Sequence, residues 1–457
     1  MKELLLILVI IVVSSCSFDN KTGLWKDASN IPVEIQNPQS IETNNSNTRY
    51  EDVFLKTKTF DEEKEPLNFS SLKIDNPLKL TNWPEQYAVP SNNISNFSYN
   101  GNKVLLSRSP KLSKFSSSKK NSERNIIFYK NSLISYDHKG TIFIYSQKLK
   151  KKIYEYNFYK KNFKNFDKKI YLVVNKNILY AADNLGYLYA INLDNNSIIW
   201  AKNYGIPFRS NLKFIDNEIF LASQDNVIYS INSDTGDKNW QFATSLTFLK
   251  SDFMNNIALD VINKDIFFLN TSGELYSINY LTQKINWVLN FKSSSLAGDT
   301  ELFLSPPIVI KNNNLIISTE NALLSYDTLT AVKNWNLSAK PIFKPVVTLN
   351  YTYAILKNNL LICLDNISGN IIWSKNIFSN IENKKIRKKF GTIFDFKIVN
   401  GKINIYSNNG FLLSFDANNG YLNYYNRISK KGINSKIIFL NNNMFFVDTT
   451  NRLSKFN

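Results

Sequence analysis

The stretch YAINLDNNSIIW, residues 189–200, places an apolar residue, Ile191, nine positions before an aromatic one, Trp200. Between them stand the polar residues Asp194, Asn195, Asn196 and Ser197, and then the β-branched pair Ile198 and Ile199. Asn and Asp side chains bond their own backbone in turns, and β-branched residues suit a pleated surface. The stretch therefore predicts a β-hairpin. One hairpin decides little; its recurrence decides the fold.

The spacing returns in Tyr145/Tyr154, Ile231/Trp240, Ile278/Trp287, Tyr326/Trp335, Leu364/Trp373 and Phe415/Tyr424. Five of the seven tryptophans of the chain occupy this single aromatic position. Successive copies lie about 45 residues apart, a period that marks a repeat architecture. Before Trp200 the unit reads KIYLVV, NILYAAD, GYLYAIN and SIIWAKN, and before Trp240 it reads NLKFID, EIFLAS, VIYSIN and TGDKNWQF. Period-2 alternation broken by Asn, Asp and Gly denotes antiparallel strands. Four strands per repeat of this length make a β-propeller blade. No amphipathic helix is expected after the first residues.

A last, partial copy reads KIIFL, MFFVD and RLSKFN, with Phe456 at the place of Ile191. Its aromatic partner would fall beyond Asn457, so this blade lacks its outermost strand. A ring abolishes its sheet edges only by closing. The unassigned β-like segment KVLLSRS, about 103–109, is expected to supply the missing strand. The predicted fold is all-β: an eight-bladed propeller of four-stranded antiparallel blades over residues 83–457, its last blade closed by an N-terminal strand.

The N-terminus MKELLLILVIIVVSSC has one Lys, an apolar run from Leu4 to Val13, and two small residues before Cys16. The run is too short to span a bilayer, which takes about 20 residues, but it suits an export signal over residues 1–15. Residues 16–82, rich in Asn, Thr, Glu, Lys and Asp without a sustained period, are expected to form a largely disordered tether. The only other cysteine, Cys363, lies in the alternating run LLICLD and reads as a buried, inert thiol.

Across 457 residues the net charge is +18, with 43% hydrophobic and 14% aromatic residues. Lys, Asn and Ile are abundant throughout, so most of the charge reads as solvated surface, and no nucleic-acid partner is expected. Basic clusters at 148–152, 160–169 and 383–389 fall in a hairpin turn and two blade connections, solvated loops or contacts for anionic headgroups and acidic partners. Asp194, Asp234 and Asp365 occupy hairpin turns, where Asp favours the turn itself. The lone His138, in SYDHKG, also reads as a turn residue. No Gly-rich phosphate loop, Ser/His/Asp set or Cys/His metal spacing occurs. Catalytic residues, metal and cofactor are all expected to be absent, and the chain is read as a non-enzyme.

Two resemblances refine this. The segment ending at Cys16 resembles the lipobox of bacterial lipoproteins, which implies lipidation of Cys16; Ser17 after it implies the outer membrane, periplasmic face. DTGDKNW (234–240) and DNISGNIIW (365–373) resemble the pyrroloquinoline-quinone-type propeller repeat, in which the Trp packs between neighbouring blades. Tyr154, Trp200, Trp240, Trp287, Trp335, Trp373 and Tyr424 inherit that structural role. Quinoprotein dehydrogenases share these repeats, as does the BamB-like lipoprotein family of the outer-membrane β-barrel assembly machinery. Lipobox, length and blade count resemble the latter, and IDNPLKLTNWPEQYAVPSNNISNFSYNG (74–101) is similar to the lead-in segment of some of its members. The dehydrogenases carry a vicinal Cys pair over the cofactor, and this chain has none.

The resemblance implies a non-catalytic scaffold that docks on the central barrel-assembly protein and assists outer-membrane barrels to fold. Nascent outer-membrane proteins are further candidate partners. The alternative is a quinoprotein-like propeller binding a small periplasmic ligand or cofactor. In the lipoprotein family the partner is held by the connections leaving two successive blades. The matching connections follow Trp240 and Trp287, carrying Leu246, Phe248, Leu249 and Lys250, then Asp299 and Glu301. Lys250 stands where the family has Arg, losing bidentate pairing.

Overall fold

The structure is a computed structural model that describes residues 58–66, 72–113, 126–159, 163, 165–245, 255–291, 303–381 and 384–457, together with strands at 16–19, 24–27 and 48–50. Cys16–Asp19 and Leu24–Asp27 form a two-stranded antiparallel hairpin within a unit spanning Met1–Ser46. The second unit, Asn47–Asn457, holds the propeller.

Blade 1 comprises Ile127–Tyr129, Ser132–Tyr136, Thr141–Ser146 and Lys151–Asn157, hydrogen-bonded in sequence order. Blades 2 to 7 repeat that meander, their innermost strands beginning at Ile170, Lys213, Asn256, Val309, Val346 and Ile393. Blade 8 has Ile438–Leu440, Asn443–Val447 and Leu453–Phe456, and its fourth strand is Leu105–Arg108. The expected eight blades and N-terminal closure are both present, with the closing strand inside the predicted 103–109.

The nine-residue spacing has a physical origin. In every blade the third and fourth strands shift register by one residue immediately before the anchoring apolar residue, from Ile144/Tyr145 in blade 1 to Lys455/Phe456 in blade 8. Such a bulge leaves one residue unpaired and turns the strand. The aromatic then sits opposite a small residue in most blades: Trp200 faces Ala190, Trp240 faces Ser230 and Trp373 faces Cys363. The indole reaches the following blade, where Trp200, Trp287 and Trp335 donate Nε1–H to the carbonyls of Ser233, Thr328 and Asn366 at 2.9, 3.0 and 2.9 Å.

The turn that receives the indole must be thin. Four residues before each aromatic the backbone has positive φ in all seven complete units, from Lys150 to Gly420. Where that residue is Gly236 or Gly420, an added Cβ would lie 2.7 or 2.5 Å from the ring of Trp200 or Trp373 of the preceding blade. Glycine there meets two demands at once, a left-handed backbone and close aromatic approach.

Two expectations need correction. Residues 58–66 and 72–82, read as part of a disordered tether, are fastened to the ring. Phe60 N–H donates to Ser338 O at 2.8 Å, Lys64 exchanges backbone bonds with Ser374, and Leu72 N–H donates to Asn418 Oδ1 at 2.9 Å. Thr48–Tyr50 adds a parallel strand to the outer edge of blade 4. These contacts satisfy edge groups that would otherwise face solvent, a gain that the polar composition of the segment does not advertise. The second correction is a helix, α1, at Lys384–Phe390 in the connection between blades 6 and 7. It is only 7 residues long and buries Phe390, so no helical period was available to reveal it.

The lead-in segment does more than precede the blades. Trp83 pairs with Phe128 of blade 1, Pro84 O accepts from Val174 of blade 2, and Pro90 O accepts from Leu259 of blade 4. Asn92 Nδ2 donates to Ile257 O and Ile308 O, Asn93 Nδ2 to Val347 O, and Phe97 N–H to Ile398 O. Leu80 O accepts from Asn441 of blade 8, and Glu85 pairs with Lys213 of blade 3. The segment thus touches the inner strands of all eight blades and forms a floor across the central channel.

Candidate functional site

Leu246, Phe248, Leu249, Lys250, Asp299 and Glu301 lie outside the described residues. The stems of their two connections are described, and both stand on one hairpin turn of blade 4, residues 270–274. Asn270 organises it: Oδ1 accepts from Ser272 N–H and Glu274 N–H at 2.9 Å each, while Nδ2 donates to Thr244 Oγ1 at 2.8 Å. Thr244 opens the first connection. Asn226 tightens the anchor, accepting from Thr271 Oγ1 at 2.9 Å and donating to Ser272 Oγ at 3.1 Å. The second connection returns to the same turn, where Phe303 N–H donates to Thr271 O at 2.8 Å and the ring packs over Gly273. Asn226, Asn270, Thr271 and Ser272 are buried, so this polar network is satisfied internally and rigidifies both stems.

The remaining sequence candidates fall into place individually. Trp287, Trp335 and Trp373 are buried between blades, whereas Tyr154, Trp200, Trp240 and Tyr424 are half-exposed at the rim. Asp365 caps its own turn, accepting from the N–H groups of Ile367 and Ser368 at 3.1 and 2.7 Å. His138 lies half-buried in a turn of blade 1. Cys363 is a buried free thiol, and burial pushes its pKa well up, so it is not a thiolate nucleophile. Cys16 opens the N-terminal hairpin. Among the described residues no group of three or more His, Cys, Asp and Glu side chains is placed to hold a metal ion, and no helix is long and apolar enough to cross a membrane.

Sequence reasoning missed the residues that face the channel. Counting four back from the residue that opens the first hairpin turn of a blade reaches Asn211, Asn256, Pro307, Lys344, Asp395 and Lys436 in blades 3 to 8. All six line one central cavity above the lead-in segment. The signal was present in the repeat register, but it is legible only once the inner strand's ends are fixed.

A profile described as "Outer membrane protein assembly factor BamB" matches residues 143–375. Proteins of that name from Moranella endobia (strain PCIT) and Yersinia pestis are 20% and 22% identical over 54% and 53% of this chain. The matches span 64% and 62% of those relatives, less than two thirds of their length. The crystal structure of BamB from Moraxella catarrhalis is similar in fold, with a TM-score of 0.58 at 11% identity, covering 78% of this chain and 99% of that one. A quinohemoprotein alcohol dehydrogenase from Pseudomonas putida shares the architecture at a TM-score of 0.55 and 9% identity, covering 82% of this chain and 80% of that one. With the profile covering half of the chain on an eight-bladed ring, the chain belongs to the family of outer membrane protein assembly factor BamB.

Proposed function

We propose that this chain is a non-catalytic scaffold of the outer-membrane β-barrel assembly machinery. It is held at the periplasmic face of the outer membrane by lipid on Cys16, and it docks on the central barrel-assembly protein to assist insertion of its clients. The observation that supports docking through the connections after Trp240 and Trp287 is their common anchor at residues 270–274. Stems held on one rigid turn keep the ends of both connections at a fixed separation, which lowers the entropy lost on binding. Leu246, Phe248 and Leu249 supply an apolar centre, with Lys250, Asp299 and Glu301 as a charged rim, the composition of a small interface core.

The test is affinity purification from detergent-solubilised envelopes. Phe248→Ala together with Lys250→Glu is expected to abolish co-purification of the barrel-assembly protein while melting stays within a few degrees of the parent. Cys16→Ser, fractionated in the same experiment, is expected to leave the outer membrane. Retention of the partner by the double variant moves the docking surface elsewhere on the ring; retention of Cys16→Ser in washed outer membrane removes the lipid anchor.

A further inference from the structure

The repeat register singles out one turn position. Six residues before the aromatic, in the turn between the third and fourth strands, blades 1 to 7 carry Lys148, Asp194, Asp234, Leu281, Leu329, Ile367 and Asn418. Polar residues favour such turns, and blades 1, 2, 3 and 7 obey. Blades 4, 5 and 6 carry aliphatic residues instead. These are 60, 51 and 86% exposed, so core packing does not account for them. The turns between first and second strands repeat the contrast. Those of blades 1, 2, 3, 5, 7 and 8 have two residues, the first of them Lys, Asp or Asn. Blade 4 has four residues between Asp260 and Asp265, starting with Val261 and Ile262, and blade 6 begins its turn with Leu349. Ile262 is 88% exposed, and Val261 and Leu349 are exposed as well.

In an antiparallel four-stranded meander both of these turns lie on one face of the ring, and the connections between blades leave from the other. The six aliphatic side chains therefore share a face over three successive blades, opposite the connections after Trp240 and Trp287. One exposed aliphatic residue is ordinary; six gathered on one face mark an interaction surface.

Two observations point to what covers it. First, the chain that runs back to Cys16 is fastened to these same three blades. Thr48–Tyr50 pairs with the outer strand of blade 4, Phe60 N–H donates to Ser338 O of blade 5, and Lys64 exchanges backbone bonds with Ser374 of blade 6. Second, the turns can leave water without stranding a donor. Asp260 Oδ1 accepts from Ile262 N–H and Asn263 N–H at 3.0 and 3.2 Å. Asp327 Oδ1 accepts from Leu329 N–H and Thr330 N–H at 3.0 and 2.8 Å, and Asp365 Oδ1 serves Ile367 and Ser368 in the same way. Amides satisfied inside the turn tolerate a low-dielectric interface. Aliphatic tips on separate turns, flanked by Asn263, Thr282, Thr330 and Ser368, suit a fluid lipid boundary better than the closely packed centre of a protein interface.

We propose that this face of blades 4 to 6 rests on a phospholipid surface, with Val261, Ile262, Leu281, Leu329, Leu349 and Ile367 inserted at the boundary between headgroups and acyl chains. The proposal rests on the Cys16 anchor for the identity of the membrane and adds the orientation of the ring. The barrel-assembly partner then meets the opposite face, which carries the docking connections.

The experiment uses the full-length protein with Ile262→Cys, labelled with an environment-sensitive fluorophore and weighed by mass spectrometry for lipid on Cys16. It is reconstituted in vesicles of phosphatidylethanolamine and phosphatidylglycerol. Cys363 is buried and does not compete for the dye. The emission is expected to shift to the blue and to be quenched by nitroxides held about 5–10 Å below the headgroups. The same dye on Asp194→Cys, at the polar counterpart in blade 2, is expected to report water. Leu281→Asp with Leu329→Asp and Ile367→Asp, which copies blades 2 and 3, is expected to abolish the shift at Ile262→Cys with an unchanged melting temperature. A blue shift in a chain without lipid on Cys16 supports the surface and overturns the anchor. A lipidated chain without the shift overturns the surface and leaves the anchor standing. No shift in either chain, an equal shift at Asp194→Cys, or a shift that survives the triple substitution overturns the proposal. A shift that requires added outer-membrane proteins also overturns it and assigns the face to a protein partner.

Discussion

Glu85 and Lys213 show how much a single contact can carry. Their side chains are almost wholly buried and lie 2.7 Å apart, with Asn92 Oδ1 accepting a second bond from Lys213 Nζ at 2.6 Å. Burial pushes the carboxyl up and the ammonium down, and each charge opposes the shift of the other. Removing one partner strands the other, so Glu85→Gln is expected to lower the unfolding free energy by about 3–5 kcal/mol. The pH dependence carries the sign. With Glu85 gone, Lys213 is lowered further in the folded state, the unfolded state binds more protons, and stability rises as pH climbs toward the ordinary lysine value of about 10.4. Chemical denaturation of this variant at pH 7 and pH 9 measures it; a parallel loss at both pH values contradicts the assignment. No reading of the sequence exposes this pair. Its members stand 128 residues apart, and only the passage of the lead-in segment through the channel brings them together.

At the scale of the element, what was legible followed from repetition. The spacing of nine, the turn residues and the tryptophans are one structural event, a bulge that sends an aromatic ring toward the next blade, written seven times and five of them with an indole. The helix α1 is written once, in a basic run with Ile386 and Phe390 as its apolar residues, and stayed hidden. The same event ranks the interfaces. Trp373 has no exposed surface, while Trp240 is half-exposed, and among the described residues neither Nε1–H finds a partner. Trp373→Ala is therefore expected to cost about 3–5 kcal/mol, the range for a fully buried aromatic, and Trp240→Ala distinctly less. Equal losses in urea denaturation would mean that the indole position, and not its burial, sets the strength of a blade interface.

At the scale of the molecule the chain closes the ring with residues that precede the first blade. Leu105–Arg108 completes blade 8, and the seam is reinforced on both sides. Ser109 N–H donates to Leu453 O at 2.8 Å, Val104 and Asn457 exchange backbone bonds at 3.1 and 3.0 Å, and Arg108 Nε donates to buried Asp448 at 2.7 Å. On the inner side, the rings of Phe445 and Phe128 meet at 5.0 Å across the junction of blades 8 and 1. The strand itself is exposed on both faces, so its contribution is the pairing of an edge and not burial. Deleting residues 103–109 leaves unpaired those N–H and C=O groups of Leu453–Phe456 that face away from Asn443–Val447, and Asp448 without the Arg108 guanidinium, and an open edge recruits a second chain. The deletion is expected to lower the melting temperature and to shift elution toward aggregates in size-exclusion chromatography. Arg108→Ala, which keeps the strand, is expected to lower the melting temperature without aggregation. A monodisperse deletion variant with the parent's melting temperature would show that the ring does not depend on this strand for closure.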